Sequence, residues 1–337
     1  MHLIGDMATA SLQIASTTLA QIVRAGLGRT PKQLPPWLFY DEAGSLLFEE
    51  ITFLPEYYLT RLEREIFASR AGEMIGAAAG GDRLRLIELG AGSADKTRTL
   101  LAAALDYQGT VCYQPVDVSG TALEAARERI ERELPEVRVE PLVADYTTGW
   151  GLGAAGSPDE RAVLLWIGSS IGNFDPAVAE GLLSGINQTM AEGDGLLLGV
   201  DLAPEIEVCG GKTVEALESA YCDAAGVTEQ FNKNMLVRLN RELGADFDSS
   251  KFAHRAIWNA ADSRMEMHLE SLGEQSVWIA ELGMDVRFSS GERLHTENSY
   301  KYTVESAVGL MGRAGFPVVE RWMDRDGWFA VFLGRKA

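Results

Sequence analysis

The chain of 337 residues carries a formal charge of −19 and is 46% hydrophobic, which supplies real cores and exceeds the usual size of one domain. That acidity, uninterrupted by any Lys/Arg cluster, speaks against nucleic acid, which needs basic surface for its phosphates, and favours a small-molecule substrate. Cys112, Cys209 and Cys222 lack paired spacing and suit reduced thiols; no CxxC or HExxH pattern suggests a metal, and no run reaches the ~18 apolar residues of a membrane span.

The first residues, MHLIGDMATASLQIAS, lack the basic flank and long apolar core of a signal peptide. A soluble cytoplasmic monomer is therefore expected. Residues 1–35 are mildly amphipathic and end in PKQLPPW, a proline-bearing connector. In LFYDEAGSLLFEEITFLPEYYLTRLEREIF, Tyr40, Tyr57 and Tyr58 stand among apolar and acidic residues. Core burial with a satisfied hydroxyl is the usual fate of such tyrosines, but the doublet after Leu54-Pro55-Glu56 is well placed to line a pocket.

From about Leu62 to Leu202, helices and strands alternate, which builds a parallel sheet covered on both faces. Leu84 to Leu89 is a short apolar strand; Gly90, Ala91 and Gly92 make a tight turn, and a helix is expected to open near Ser93. Small residues there let a backbone approach a ligand, and a helix start presents free N–H groups. A nicotinamide fingerprint would have a third glycine where this chain has Asp95, followed by Lys96. VCYQPVDV, residues 111–118, reads as the second strand, with Asp117 at its carboxyl end and suited to ribose hydroxyls. Thr121 to Glu124 reads as a capping box opening a helix that Pro135 stops. A third strand over 137–143 leads to Asp145-Tyr146, a carboxylate and a ring suited to adenine. AVLLWI, residues 162–167, is the fourth strand; the loop GSSIGNF follows, with Asn173 as a site candidate because ligands sit beyond the carboxyl ends of such strands. Asp175-Pro176 caps the next helix. Gly195 to Val200 is the fifth strand.

Residues 202–301 break the rhythm. Alternation in Met265–Leu269 and Val277–Val286 indicates antiparallel strands of a separate α+β unit. After Tyr302 a helix over 304–314 precedes a hairpin formed by Pro317–Met323 and Trp328–Leu333. The expected division is 62–201 with 302–337 as the sheet domain, and 1–61 with 202–301 as a substrate-binding lid. Glycine turn, Asp117 and Asp145-Tyr146, at the ends of three consecutive strands and with a reversed terminal hairpin, resemble the S-adenosylmethionine site of a class I, Rossmann-like methyltransferase.

A closer resemblance covers nearly the whole chain. LPPWLFYDEAGSLLFEEIT, LPEYYLTR, IELGAGSADKTRTLL, PVDVS, IGSSIGNF, YCDAAGVTEQFNKNML, NRELGADF, RMEMHL and HTENSYKY are similar to the histidine Nα-methyltransferases that make hercynine on the way to ergothioneine. The resemblance implies S-adenosylmethionine contacts at Gly90, Lys96, Asp117, Asp145 and Tyr146, with Tyr40 nearby. It implies amino-acid contacts at Tyr57, Asn173, Tyr221, Glu297 and Ser299, with Met267 against the side chain. The chain departs from it at Leu59, where proline is common.

Chemistry agrees with these positions. Asn173 and the hydroxyls of Tyr57 and Tyr221 supply neutral partners for an amino acid's charged ends. Glu297 and Ser299 lie two apart, so on an extended segment they face the same side and can meet both imidazole nitrogens; otherwise Glu297 is a solvated loop charge. Tyr57 or water is the candidate carrier of the amine proton. The rival readings are an N-methyltransferase for tyrosine or tryptophan, a non-catalytic protein that binds S-adenosylmethionine and, third, a nicotinamide oxidoreductase.

Overall fold

A computed structural model describes residues 18–147, 160–204 and 211–337. The N-terminal stretch examined for signal-peptide features and Cys209 lie outside the described residues. The chain divides into two compact units, residues 1–61 with 204–301 and residues 62–203 with 302–337.

In chain order, helix α1 (Leu19–Leu27) is capped by Thr18, whose side chain accepts from Gln21 N–H. A short 3₁₀ turn, Pro36–Phe39, leads to α2 (Glu42–Ile51), capped by Asp41. Helix α3 (Tyr58–Ala79) then runs into β1 (Arg83–Leu89). Helix α4 begins at Thr97 and ends at Gln108, four residues later than the sequence indicates. Ala94 stands at φ 51°, a left-handed conformation that no helix continues through.

Strand β2 (Val111–Asp117) leads to α5 (Gly120–Glu133), whose cap is Ser119 and not the Thr121 box. Ser119 has extended backbone and its Oγ accepts from Ala122 N–H, so the first orphan donors are met two residues earlier. Glu124 pairs with Arg127 instead. The expected third strand is two pieces, β3 (Val137–Val139) and β4 (Leu142–Val143), split at Pro141, which has no N–H to donate. Strand β5 (Glu160–Trp166), helix α6 (Pro176–Thr189) and β6 (Gly195–Asp201) complete the run. Asp175 is the cap residue of α6 with Pro176 at its first position, but its side chain makes no capping bond.

The other unit resumes with α7 (Val214–Ala220) and α8 (Val227–Leu243). Strands β7 (Phe252–Asn259), β8 (Arg264–Ser271), β9 (Gln275–Ile279), β10 (Met284–Phe288) and β11 (Arg293–Tyr300) follow. They form a three-stranded antiparallel sheet, β11-β8-β7, and a separate β9-β10 hairpin. Residues 277–286, read as one alternating stretch, are thus two strands turned at Gly283 (φ 54°). Helix α9 (Val304–Arg313) and the strands β12 (Val318–Met323) and β13 (Phe329–Arg335) end the chain.

The large sheet has the order β12-β13-β6-β5-β1-β2-β3, with β4 also on β2. Strands β1 to β6 pair in parallel, while β13 is antiparallel to both β6 and β12. This is a class I methyltransferase sheet with its reversed terminal hairpin. From β1 the chain first winds outward through β2 and β3, then returns to place β5 on the other side of β1. Such a reversal leaves a crevice at the carboxyl ends of β1 and β5, because the flanking connections diverge there.

Candidate functional site

Around that crevice the glycine turn is fixed by β2. Gly90 (φ 62°) and Gly92 (φ 49°) adopt conformations that side chains disfavour. Gly90 N–H donates to the Val116 carbonyl at 2.8 Å, and Gly92 N–H to Asp117 Oδ2 at 3.0 Å. The other oxygen of Asp117 accepts from Ser119 N–H at 2.9 Å. Asp117 therefore both braces the turn and starts α5, beyond its sequence-assigned role toward a ribose.

Tyr146 lies beside this turn: a Cβ placed on Gly90 would sit 3.9 Å from its ring. The ring stands edge to face with Trp166 at 5.7 Å. Burial, aided by the Asp117 and Asp145 carboxylates, raises the phenol's pKa. Asp145 is exposed, and its Oδ1 accepts from both N–H and Oγ1 of Thr147, at 2.9 and 2.6 Å.

Lys96 turns to Glu63 of α3, with Nζ 2.6 Å from Oε2. Glu63 is fully buried, and its Oε1 accepts from Gly168 N–H at 2.8 Å. The carboxylate fits only because position 199 of β6 is glycine; a Cβ there would lie 2.3 Å from Oε1. Glu63 follows from its place on the apolar face of α3 beside Leu59, Leu62 and Ile66, a signal the motif reading passes over. Glu88 of β1 is likewise buried and accepts from the Tyr113 hydroxyl. Burial pushes its carboxyl up to about 7, against Tyr113 and the Lys96 charge, which pull it down.

Asn173 closes the short turn Ser170–Asn173 after β5 and is partly exposed. The turn is held by Trp166 Nε1–H donating to Ser170 Oγ at 3.0 Å and by Asp201 N–H donating to Ser169 Oγ at 2.9 Å. These residues fit S-adenosylmethionine chemically: a glycine cradle, an acidic residue at the second strand's end and a shielded aromatic ring converge at the switch point of the sheet.

The remaining candidates belong to the unit of residues 1–61 with 204–301. Tyr40, expected near the cofactor, is 37% exposed, and its ring meets Phe48 and Phe231, each at 5.6 Å. Tyr57 is buried, with its ring 6.3 Å from Phe48 and 6.4 Å from Tyr221.

Tyr221 ends α7. Its carbonyl accepts from His254 Nε2–H at 2.7 Å, while Asn232 Nδ2 donates to His254 Nδ1 at 2.8 Å. That amide and tautomer assignment satisfies both contacts, and burial lowers the His254 pKa, keeping the ring neutral.

On β11 the register sets Glu297 opposite Met267 and Ser299 opposite Met265 of β8. All four side chains are buried. A bulge lies between His295 and Glu297, upstream of the pair, so Glu297 and Ser299 keep the strand's alternation and share a face. Burial lifts the Glu297 carboxyl to about 7, while the Lys301 ammonium pulls it down. The Tyr221 hydroxyl is 2.9 Å from Ser299 Oγ. Lys301, absent from the sequence-derived candidates, is buried and donates to the Tyr221 hydroxyl oxygen at 2.7 Å and to Ser299 Oγ at 2.9 Å. It continues the Glu297, Ser299 alternation, which is the signal that could have found it.

Among the described residues, no three His, Cys, Asp or Glu side chains are grouped to hold a metal ion, and no helix is long and apolar enough to cross a membrane.

A family model described as a histidine-specific, S-adenosylmethionine-dependent methyltransferase matches residues 19–336. The histidine N-alpha-methyltransferase of Mycolicibacterium smegmatis is 41% identical over 95% of each chain. That of Mycobacterium tuberculosis is 39% identical, covering 94% of this chain and 95% of its own. An L-tryptophan methyltransferase of Psilocybe serbica is 26% identical over 93% of this chain and 91% of its own. With its switch-point glycine turn, its reversed hairpin and a match along nearly its whole length, the chain belongs to the S-adenosylmethionine-dependent histidine-specific methyltransferase family.

Proposed function

We propose that the enzyme methylates the α-amino nitrogen of L-histidine three times, giving hercynine, a step toward ergothioneine, and that it works as a cytoplasmic monomer on free histidine and its methylated forms. In this reading residues 62–203 with 302–337 hold the cofactor and residues 1–61 with 204–301 supply most of the amino-acid contacts. The observation that carries the substrate is the buried pair Glu297 and Ser299 on one face of β11, with Met267 opposite. Burying a carboxylate is costly unless its oxygens find donors, and an imidazole N–H offsets that cost where an apolar side chain does not.

Bound S-adenosylmethionine supplies an electrophilic methyl group on a sulfonium. Gly90, Lys96, Asp117, Asp145 and Tyr146 would hold it, with Asp117 toward the ribose and the Tyr146 ring against the adenine. Glu63 neutralises the Lys96 ammonium, so the glycine turn does not oppose a cationic ligand. Asn173 and the hydroxyls of Tyr57 and Tyr221 are suited to orient the amino and carboxyl groups; alignment of a neutral amine is the main requirement of such an in-line displacement. The amine must lose a proton before each attack, with Tyr57 or water to take it.

An indole would meet Glu297 with its single N–H and offer Ser299 no second ring nitrogen, which disfavours tryptophan here although the Psilocybe serbica relative bears that name. Incubation with S-adenosylmethionine and the twenty amino acids, followed by mass spectrometry, tests the reading. Histidine heavier by up to three methyl groups is expected; a product from another amino acid alone overturns it.

A further inference from the structure

We propose that Lys301 is a positioning residue that fixes Ser299 as a hydrogen-bond donor to the substrate ring, so that the site takes neutral imidazole in one tautomer. The inference rests on histidine being the substrate. Lys301 is 4% exposed, and its ammonium, which has donors only, reaches Ser299 Oγ at 2.9 Å and the Tyr221 hydroxyl oxygen at 2.7 Å. It also stands 4.7 Å from the centroid of the Tyr221 ring. The two hydroxyl oxygens are 2.9 Å apart, so one of them donates to the other.

A phenol is the stronger acid and the weaker acceptor of the two, and Lys301 already occupies one lone pair on each oxygen. The arrangement that serves every group has Tyr221 donate to Ser299. Ser299 Oγ then accepts twice, and its proton is directed to the ligand. An imidazole nitrogen facing Ser299 must be an acceptor, while the nitrogen facing the ionised Glu297 must carry the proton. The buried ammonium reinforces this, since it disfavours a second positive charge on the ring. Discrimination then rests on a polar contact as well as on shape, the kind of site that rejects analogues most strongly.

Two measurements test this. Histidine labelled with ¹⁵N in the ring, bound to the wild-type protein with S-adenosylhomocysteine, should give one pyrrole-like and one pyridine-like nitrogen signal. In Lys301→Met the ring should shift toward the doubly protonated form, because Ser299 is then free to accept. Two pyrrole-like signals in the wild type would overturn the role of Lys301 while leaving the substrate intact; no binding or turnover of histidine would overturn the substrate reading and this inference with it.

Kinetically, Lys301→Met should raise KM for histidine about 10- to 100-fold, the range of a hydrogen bond to a charged group, with little change in kcat or in S-adenosylhomocysteine affinity. Combined with Ser299→Ala it should add nothing to the loss from Ser299→Ala alone. Losses that multiply, or a fall in cofactor affinity of the same size, would mark a merely structural lysine and overturn the proposal.

Discussion

Lys96, at the start of α4, is bound to a carboxylate that solvent does not reach: its Nζ lies 2.6 Å from Oε2 of Glu63. An ammonium at a helix N-terminus is unfavourable with the helix dipole, and Glu63 compensates for it. Removing one partner strands the other charge, which costs about 3–5 kcal/mol for a buried pair. Lys96→Met should therefore destabilise the fold by about that amount in urea unfolding, and Lys96→Met with Glu63→Gln should recover most of it. Equal stability of the wild type and Lys96→Met would show that the pair contributes little.

Asp117→Ala should weaken S-adenosylhomocysteine binding about 10- to 150-fold, the equivalent of roughly 1.5–3 kcal/mol for a lost charged acceptor. The side chain also holds Gly92 and Ser119 N–H, so Asp117→Asn, which keeps one carbonyl oxygen, should bind better than the alanine variant. Titration calorimetry decides; undiminished affinity in both would remove Asp117 from the cofactor site.

Glu297→Ala should cut kcat/KM for histidine while S-adenosylhomocysteine affinity stays nearly unchanged, and phenylalanine and leucine should not turn over in the wild type. A smaller residue in place of Met267 in that background should open room for an indole. Because Glu297 has its pKa at about 7 and must be ionised to accept the imidazole N–H, kcat/KM should fall as pH drops through 7. That component should be missing from Glu297→Gln. A pH profile that is identical in the two proteins would sink the assignment of Glu297 to the ring.

Glu88 gives a stability test with the opposite pH direction from an ordinary ion-paired carboxylate. Its folded pKa is about 7 against a reference of 4.5, so between these values the native state holds a proton that the unfolded chain has released. The contribution is thus undiminished below 4.5 and is lost as pH rises through 7, by about 3 kcal/mol. Glu88→Gln, which keeps an acceptor for Tyr113, should gain on the wild type by about this much from pH 4 to pH 8. Parallel melting curves across that range would show Glu88 ionised throughout.

The framework of the sheet was legible because strands buried on both faces leave apolar runs between turn residues, and the hairpin announced itself by the turn Asp324-Arg325-Asp326-Gly327. Glu297 and Ser299 were legible as a pair because β-strand alternation is a strict period. What escaped was polar and buried. Glu63, Glu88 and Lys301 were not singled out, since nothing local marks the partner that makes burial tolerable: Lys96, Tyr113 and Tyr221 lie 33, 25 and 80 residues away in the chain. The start of α4 was misplaced for a related reason, as the left-handed Ala94 is not a residue type that advertises such a conformation.

The place of β13 has a consequence for how the protein is made. This last strand lies between β6 and β12, with seven register pairs to β6, yet residues 202–328 separate the two. Until residues 329–335 leave the ribosome, the partial sheet ends at β6, a strand of seven buried residues, GLLLGVD, whose unpaired edge invites association with other chains. Chaperone dependence should accordingly be greatest between the completion of β6 and the emergence of β13. Removing residues 329–335 should harm solubility far more than removing an edge strand of the same length from a sheet whose closing strand comes early.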